Sequence, residues 1–292
     1  MRVELAYGLD GLQVDLPDNT DILRSKYVPA VTDEKAAIQD ALRHPIGSVA
    51  LHDRVKPGDR VVIVHSDITR ATPNDRMLPV LLAELEDAGI GRDDITLLNA
   101  LGTHRPQTDS ELRTMLGDGI VETYRCMQHD AFDDANLVAL GRTSHGNPVR
   151  VNRTYMEADV KILTGFIEPH FFAGFSGGPK GVLPALAGAE SVMTNHGTAM
   201  IADTRATWGV TQGNPIWEEM YEVAMMTEPT ILLNVALNAE QRIVGVFAGD
   251  LLPAHIAGCS FVRKTAMIPV TDPYDIVVTT NSGSVSYTHL RA

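Results

Sequence analysis

Runs of consecutive aliphatic residues recur along the chain, and each gives way within a few positions to polar or glycine-rich sequence. Arg60-Val-Val-Ile-Val-His-Ser66 has four aliphatics in a row, and residues 94–101 and 160–163 repeat the pattern. Lacking the alternation of a half-exposed strand, these runs predict strands covered on both faces. Residues 122–127, 230–237, 242–247 and 275–280 are further strand candidates. Residues 2–17 alternate on either side of Gly8-Leu-Asp-Gly11, which predicts an edge hairpin. Residues 136–151 alternate between turn signals and predict an antiparallel excursion.

Helical patterns fill the gaps. Residues 33–42 read as a helix stopped before Pro45. Residues 76–88 read as another, with Thr72 as N-cap and Pro73 in the first turn. Thr108-Asp-Ser-Glu111 is a capping box opening a short helix to Leu116. Ile216, Met220, Val223 and Ala224 share one face of a helix over 215–226, residues 181–189 look partly helical, and 191–197 read as a polar junction. Strands alternating with helices predict an α/β fold with an at least partly parallel sheet and right-handed crossovers.

Composition narrows the function classes. With 24 Lys plus Arg against 37 Asp plus Glu, the formal charge is -13 at pH 7, which opposes nonspecific binding to nucleic acid or anionic membrane. The first residues lack the apolar stretch of a signal peptide, and no run approaches the ~18 apolar residues of a membrane span. Cys126 and Cys259 are isolated, so no disulfide framework or thiolate zinc site is expected. The expected location is the cytoplasm.

Candidate chemistry centres on Thr164-Gly-Phe-Ile-Glu-Pro-His-Phe-Phe-Ala-Gly-Phe-Ser-Gly-Gly-Pro-Lys-Gly181, directly after the strand at 160–163. Glycines here let the backbone approach a ligand closely. Lys180 reads either as an anion-binding lysine or as a desolvated amine linked covalently to a carbonyl-type cofactor. The spacing is neither a Walker A sequence nor GxGxxG. His170, beside Phe171 and Phe172, is either a packed histidine or an acid/base group. His104, in the loop after the strand at 94–101, offers the same two readings. His196, in Thr-Asn-His-Gly197, is a candidate metal ligand, but without HExxH or a His/Cys cluster any metal would need further ligands from a cofactor. Asp67 and Arg70 either orient a polar group and bind a carboxylate, or form a surface ion pair.

Together, Asp67-Ile-Thr-Arg70, Leu101-Gly-Thr-His-Arg-Pro106, the 168–180 segment and Asn195-His-Gly197 resemble the nickel-dependent lactate racemase family across nearly the whole chain. The resemblance implies a Rossmann-like, partly parallel sheet flanked by helices. It also implies a nickel-pincer cofactor, a pyridinium-3-thioamide-5-thiocarboxylic acid mononucleotide. By position, Lys180 matches the attachment lysine, His196 the nickel ligand, His104 and His170 the paired acid/base histidines, Asp67 the acid loop, and Arg70 the contact to the substrate carboxylate. The implied reaction inverts C2 of a small 2-hydroxy acid such as lactate through a 2-keto acid, by hydride transfer to and from the cofactor. Larger hydroxy acids or sugar acids fit the same residues. The enzymes that synthesise the cofactor are the implied protein partners. A zinc- or NAD-dependent oxidoreductase would call for ligand clusters or a dinucleotide fingerprint, and a non-enzymatic cofactor-binding or scaffold protein is the other alternative.

The expected domains are 1–270, a cofactor-binding catalytic domain, and 271–292, the start of a truncated second domain with an unrelated tail after Gly283. The resemblance places a further lysine and glutamine in that second domain. It therefore predicts a cofactor-bearing chain with weak or absent turnover.

Overall fold

The aliphatic runs become the middle of a six-stranded sheet, in a computed structural model that describes residues 1–7 and 11–279. In chain order the elements begin with β1 (Arg2–Leu5), β2 (Leu12–Asp15), α1 (Glu34–Arg43), β3 (Val61–Ser66), α2 (Asn74–Asp87) and β4 (Ile95–Ala100). They continue with α3 (Asp109–Leu116), α4 (Asp118–Thr123), β5 (Arg125–Gln128), β6 (Leu137–Arg142), β7 (Pro148–Asn152) and α5 (Arg153–Met156). The glycine-rich region holds β8 (Val160–Phe166), β9 (Pro169–His170), β10 (Gly174–Phe175), α6 (Ala189–Asn195) and α7 (Thr198–Ile201). The chain then forms α8 (Pro215–Met226), β11 (Ile231–Leu237), β12 (Ile243–Gly249) and α9 (Leu251–Ala266).

The sheet order is β12-β11-β8-β3-β4-β5. All neighbours are parallel except β11 and β12, which pair antiparallel at one edge. Ile63, Leu97, Ile162 and Leu233 point to one face and pack with Leu42 of α1, Leu78 and Leu81 of α2, and Leu112 of α3. Val62, Leu98, Leu163 and Leu232 point to the other and pack with Leu183, Ile216 and Met220. Both faces are therefore covered, as unbroken aliphatic runs require. From β3 the chain moves outward through β4 and β5, then returns to place β8 on the opposite side of β3. The loops after β3 and β8 consequently leave in opposite directions and open a crevice between them.

The chain divides into two compact units, residues 27–267 and the terminal segments, described over 1–7, 11–26 and 268–279. In the terminal unit β1 and β2 form the expected antiparallel hairpin, whose turn at 8–10 lies outside the described residues. Residues 275–279 are not a strand, contrary to expectation. Position 280 and the tail from Asn281 lie outside the described residues.

Several local expectations are corrected. Pro73, not Thr72, occupies the N-cap of α2; the Thr72 hydroxyl instead donates to Ser66 Oγ at 2.8 Å. Residues 182–186, read as partly helical, form turns, and 191–195, read as part of a polar junction, belong to helix α6 with His196 as its C-cap. Helix α4 occupies residues assigned in part to a strand, and α9 was not anticipated. The capping box at Thr108 forms with both of its bonds, and β6 and β7 make the antiparallel excursion.

Candidate active site

The parallel strands deliver the chemistry-bearing loops to one end of the sheet. Asp67 follows β3, His104 follows β4, and His170 and Lys180 follow β8. All four lie beyond the C-terminal ends of their strands, where parallel sheets open their ligand crevices.

Asp67 is buried, with 2% exposure. Its Oδ1 accepts from the backbone N–H of Thr69 at 2.9 Å and the Thr69 hydroxyl at 2.5 Å, an Asx turn that fixes the loop. Its other oxygen meets Nδ1 of His104. Burial pushes the carboxyl upward, but the bonds from His104 and Thr69, with the charges of His104 and Arg70, outweigh it and leave Asp67 below the usual carboxylate range. The carboxylate can only accept, so Nδ1 of His104 carries the proton of this bond. Behind the loop, Asn74 donates to the Ser66 carbonyl at 3.2 Å.

The glycine-rich segment folds back on itself. His170 pairs with Gly174 across the short β9–β10 ladder. Ser176 Oγ donates to the Phe166 carbonyl and accepts from the Glu168 N–H, both at 2.9 Å. Gly177 and Gly178 have φ of 71° and 53°, and the Gly178 N–H donates to Asn234 Oδ1 at 2.8 Å. A Cβ on Gly177 would stand 2.5 Å from that same oxygen, so glycine is required both by conformation and by space. The tight bend leads into a 3₁₀ turn, Gly178–Gly181, that carries Lys180.

Lys180 Nζ stands 2.6 Å from His170 Nε2 and 5.7 Å from the centre of the Phe172 ring. Burial, aided by Arg70 and opposed by Glu168, brings the lysine down to about 7. His170 stacks on Phe171 at 4.8 Å and meets Phe172 edge-on at 4.6 Å. Burial and the charges of Lys180, Arg70 and His196 push it down to about 2. His196 packs edge-on against Phe172 at 5.0 Å, so one aromatic ring touches both Lys180 and His196. His196 is lowered to about 4 by burial and Lys180, and its Nδ1 is buried without a hydrogen-bond partner. The charge of Arg70 reaches Asp67, Glu168, His170 and Lys180, which puts the β3 and β8 loops on one crevice.

Two supporting residues escaped sequence reading. Asn234, on β11 opposite Gly165, anchors Gly178. His255, on α9, is fully buried, donates from Nε2 to the Ser176 carbonyl at 3.0 Å and stacks on Trp217 at 6.1 Å. Burial lowers it to about 4, so it is neutral. The spacing of Leu251, Ala254, Gly258, Cys259 and Val262 was the available signal for that helix.

Among the described residues, no group of three or more His, Cys, Asp or Glu side chains converges as a metal site. Burial pushes both cysteine thiols upward, Cys259 to about 12, so neither is a ready thiolate. Nor, among the described residues, is any helix long and apolar enough to cross a membrane.

The chain as a whole is similar to known proteins. The family profile described as the lactate racemase N-terminal domain matches residues 7–209. Lactate racemase of Thermoanaerobacterium thermosaccharolyticum is 36% identical over 287 residues, covering 97% of this chain and 67% of the relative. That of Lactiplantibacillus plantarum is 37% identical over 250 residues, covering 86% and 58%. The solved T. thermosaccharolyticum lactate racemase apoprotein superposes with a TM-score of 0.83 at 36% identity, over 91% of this chain and 63% of that one. A Thermotoga maritima protein shares the fold at 24% identity and a TM-score of 0.65. The chain thus spans between 58% and 67% of the length of these racemases. On sequence, profile and fold alike, it belongs to the lactate racemase N-terminal domain family.

Proposed function

We propose that this chain is the cofactor-bearing part of a racemase that inverts C2 of a small 2-hydroxy acid, with Lys180 as the covalent attachment point and His196 as the protein ligand to nickel. The observation that carries the reading is the pairing of a half-buried amine with an orphaned imidazole nitrogen across Phe172. His196 Nδ1 is buried without a partner, which costs about 1–3 kcal/mol unless something binds there. One imidazole alone does not hold a metal, and sulfur donors from a pincer cofactor complete a set suited to nickel. The glycine bend, closed to any Cβ by Asn234 and His255, fixes the backbone that carries Lys180. When bound, the pincer cofactor supplies a reversible hydride acceptor.

The chain's own residues handle binding and protons. Arg70 is the contact for the substrate carboxylate, which a guanidinium engages bidentately. His104, its Nδ1 held by Asp67, presents Nε2 to take the substrate hydroxyl proton. His170, on the other loop, serves the opposite configuration. Imidazoles suit this task, because each must accept a proton in one direction and return it in the other. A 2-hydroxy acid such as lactate is the expected substrate class, the cofactor-synthesis enzymes are the expected partners, and the cytoplasm is the expected location.

Intact-mass measurement of protein produced together with the cofactor-synthesis enzymes tests this reading. A covalent adduct that maps to Lys180 and disappears in Lys180→Ala is the expected result. Unmodified protein from a maturation system that loads a full-length family member would overturn it.

A further inference from the structure

The hydrogen bonds around His170 fix where its proton sits. Nδ1 lies 3.2 Å from the backbone nitrogen of Ala173 and 3.5 Å from that of Phe172. A backbone N–H only donates, so Nδ1 is the unprotonated, accepting nitrogen. That excludes the imidazolium and places the single ring proton on Nε2. Nε2 in turn stands 2.6 Å from Lys180 Nζ. An ammonium has three donors and no acceptor, and cannot receive this N–H.

We infer that, in the cofactor-free protein, the Nε2–H of His170 holds Lys180 as a neutral amine, so the glycine bend presents a nitrogen nucleophile to a carboxyl- or thiocarboxyl-bearing ligand. Lys180 as attachment point is the reading proposed above, and the amine state builds on it. Condensation forms one C–N bond and breaks one C–O or C–S bond. One amine proton leaves with the oxygen or sulfur as water or hydrogen sulfide. An ammonium has no lone pair with which to begin.

The surroundings act in both directions. Arg70 disfavours a second positive charge at Lys180, and burial does so more strongly. Glu168 and the Phe172 ring favour the ammonium, the ring by about 0.5–2 kcal/mol. At His170, burial and the charge of Arg70 keep the imidazole neutral, which the tautomer argument requires. His170 therefore has a role at this stage separate from the acid/base role proposed for turnover.

The chain has six lysines, Lys26, Lys35, Lys56, Lys161, Lys180 and Lys264, few enough to follow individually. In cofactor-free full chain with 13C-labelled lysine, the Cε signal lost in Lys180→Met identifies Lys180. The expected midpoint of its pH titration is below 8.5, against about 10.4 for an unperturbed lysine. The 15N shifts of His170 are expected to show a protonated Nε2. A Lys180 midpoint of 8.5 or above, or a proton on Nδ1, overturns the inference. His170→Phe, which keeps a ring but has no N–H to donate, should raise the Lys180 midpoint by at least about one pH unit, and an unchanged midpoint counts against it. These readings need no cofactor: an adduct on Lys180 with an ordinary lysine midpoint would sink only the amine state, and a depressed midpoint without an adduct would sink only the attachment.

Discussion

The α-carbon of Gly178 is pressed against the imidazole of His255: a Cβ built on Gly178 would stand 2.6 Å from His255 Nδ1, closer than real side-chain contacts allow. His255 thus limits what can occupy the bend before Lys180, while its Nε2 holds the Ser176 carbonyl. Gly178→Ala combines a left-handed φ of 53° with this clash and should cost about 2–4 kcal/mol. His255→Ala removes the obstacle, so the double variant should lose less than the sum of the two single changes. Urea unfolding of the four proteins measures the coupling, and strict additivity would show that the two residues do not meet in solution.

Asp67→Asn should spare the fold but leave His104 without the anion that fixes its tautomer. In a holoenzyme that turns over, the rate should fall by about 10²–10⁴-fold, with a smaller change in KM. Stability supplies a second readout. Because the folded-state pKa of Asp67 is depressed, its contribution is present above the unfolded value near 4 and is lost as pH falls through the folded value. Wild type should therefore lose more stability than Asp67→Asn between about pH 5 and pH 2. Parallel acid-unfolding curves would contradict this.

Lys180 has the opposite linkage. Its folded pKa of about 7 lies below the reference of 10.5, so between these values the unfolded chain binds the proton more readily. Stability should accordingly rise with pH across this window, and the penalty should be largest below pH 7. Lys180→Met, similar in length but uncharged, should be more stable than wild type at pH 6.5 by a few kcal/mol, on the order that burial of an ammonium implies. The gap should narrow by pH 9.5. Chemical denaturation at the two pH values tests it, and a gap that is absent or constant would disprove the linkage.

His196→Ala separates attachment from metal binding. In the apo variant, relief of the unpartnered Nδ1, about 1–3 kcal/mol, offsets the packing lost against Phe172, so apo stability should not fall by more than about 1 kcal/mol. After maturation it should keep the mass adduct on Lys180 while nickel per chain falls at least about tenfold. Metal analysis beside intact mass would expose the error if nickel stayed stoichiometric.

Residues that announce themselves locally were legible before the structure. Val61–Val64 had to be a strand covered on both faces, and Thr108 with Glu111 had to open a helix, because patterning and capping act over a few residues. The motifs singled out Asp67, His104, His170, Lys180 and His196; the fold brings the loops of the first four to one end of one sheet, with His196 at the end of α6 against Phe172. Asn234 and His255 were not legible, because each acts on the glycine bend from a strand or helix more than fifty residues away. Thr72 misled for a related reason. As an isolated peptide it suits an N-cap, but in the fold Ser66 competes for its hydroxyl and Pro73 takes the cap position.

The placement of β8 beside β3 bears on how the protein comes to exist. The Thr164 hydroxyl bonds the Val64 carbonyl across 100 positions of chain, and the two loops of the crevice hang from strands joined at that seam. Pairings this distant carry a large loop-closure entropy and slow folding. A chain emerging from the ribosome therefore holds the Asp67 loop long before Lys180 has been synthesised, and it has no crevice in the interval. Until the seam closes, Lys180 is an ordinary solvated lysine and almost entirely an ammonium at neutral pH. On the attachment proposed above, the reactive amine is a product of folding, so maturation would act on finished chains and pass over nascent or misfolded ones.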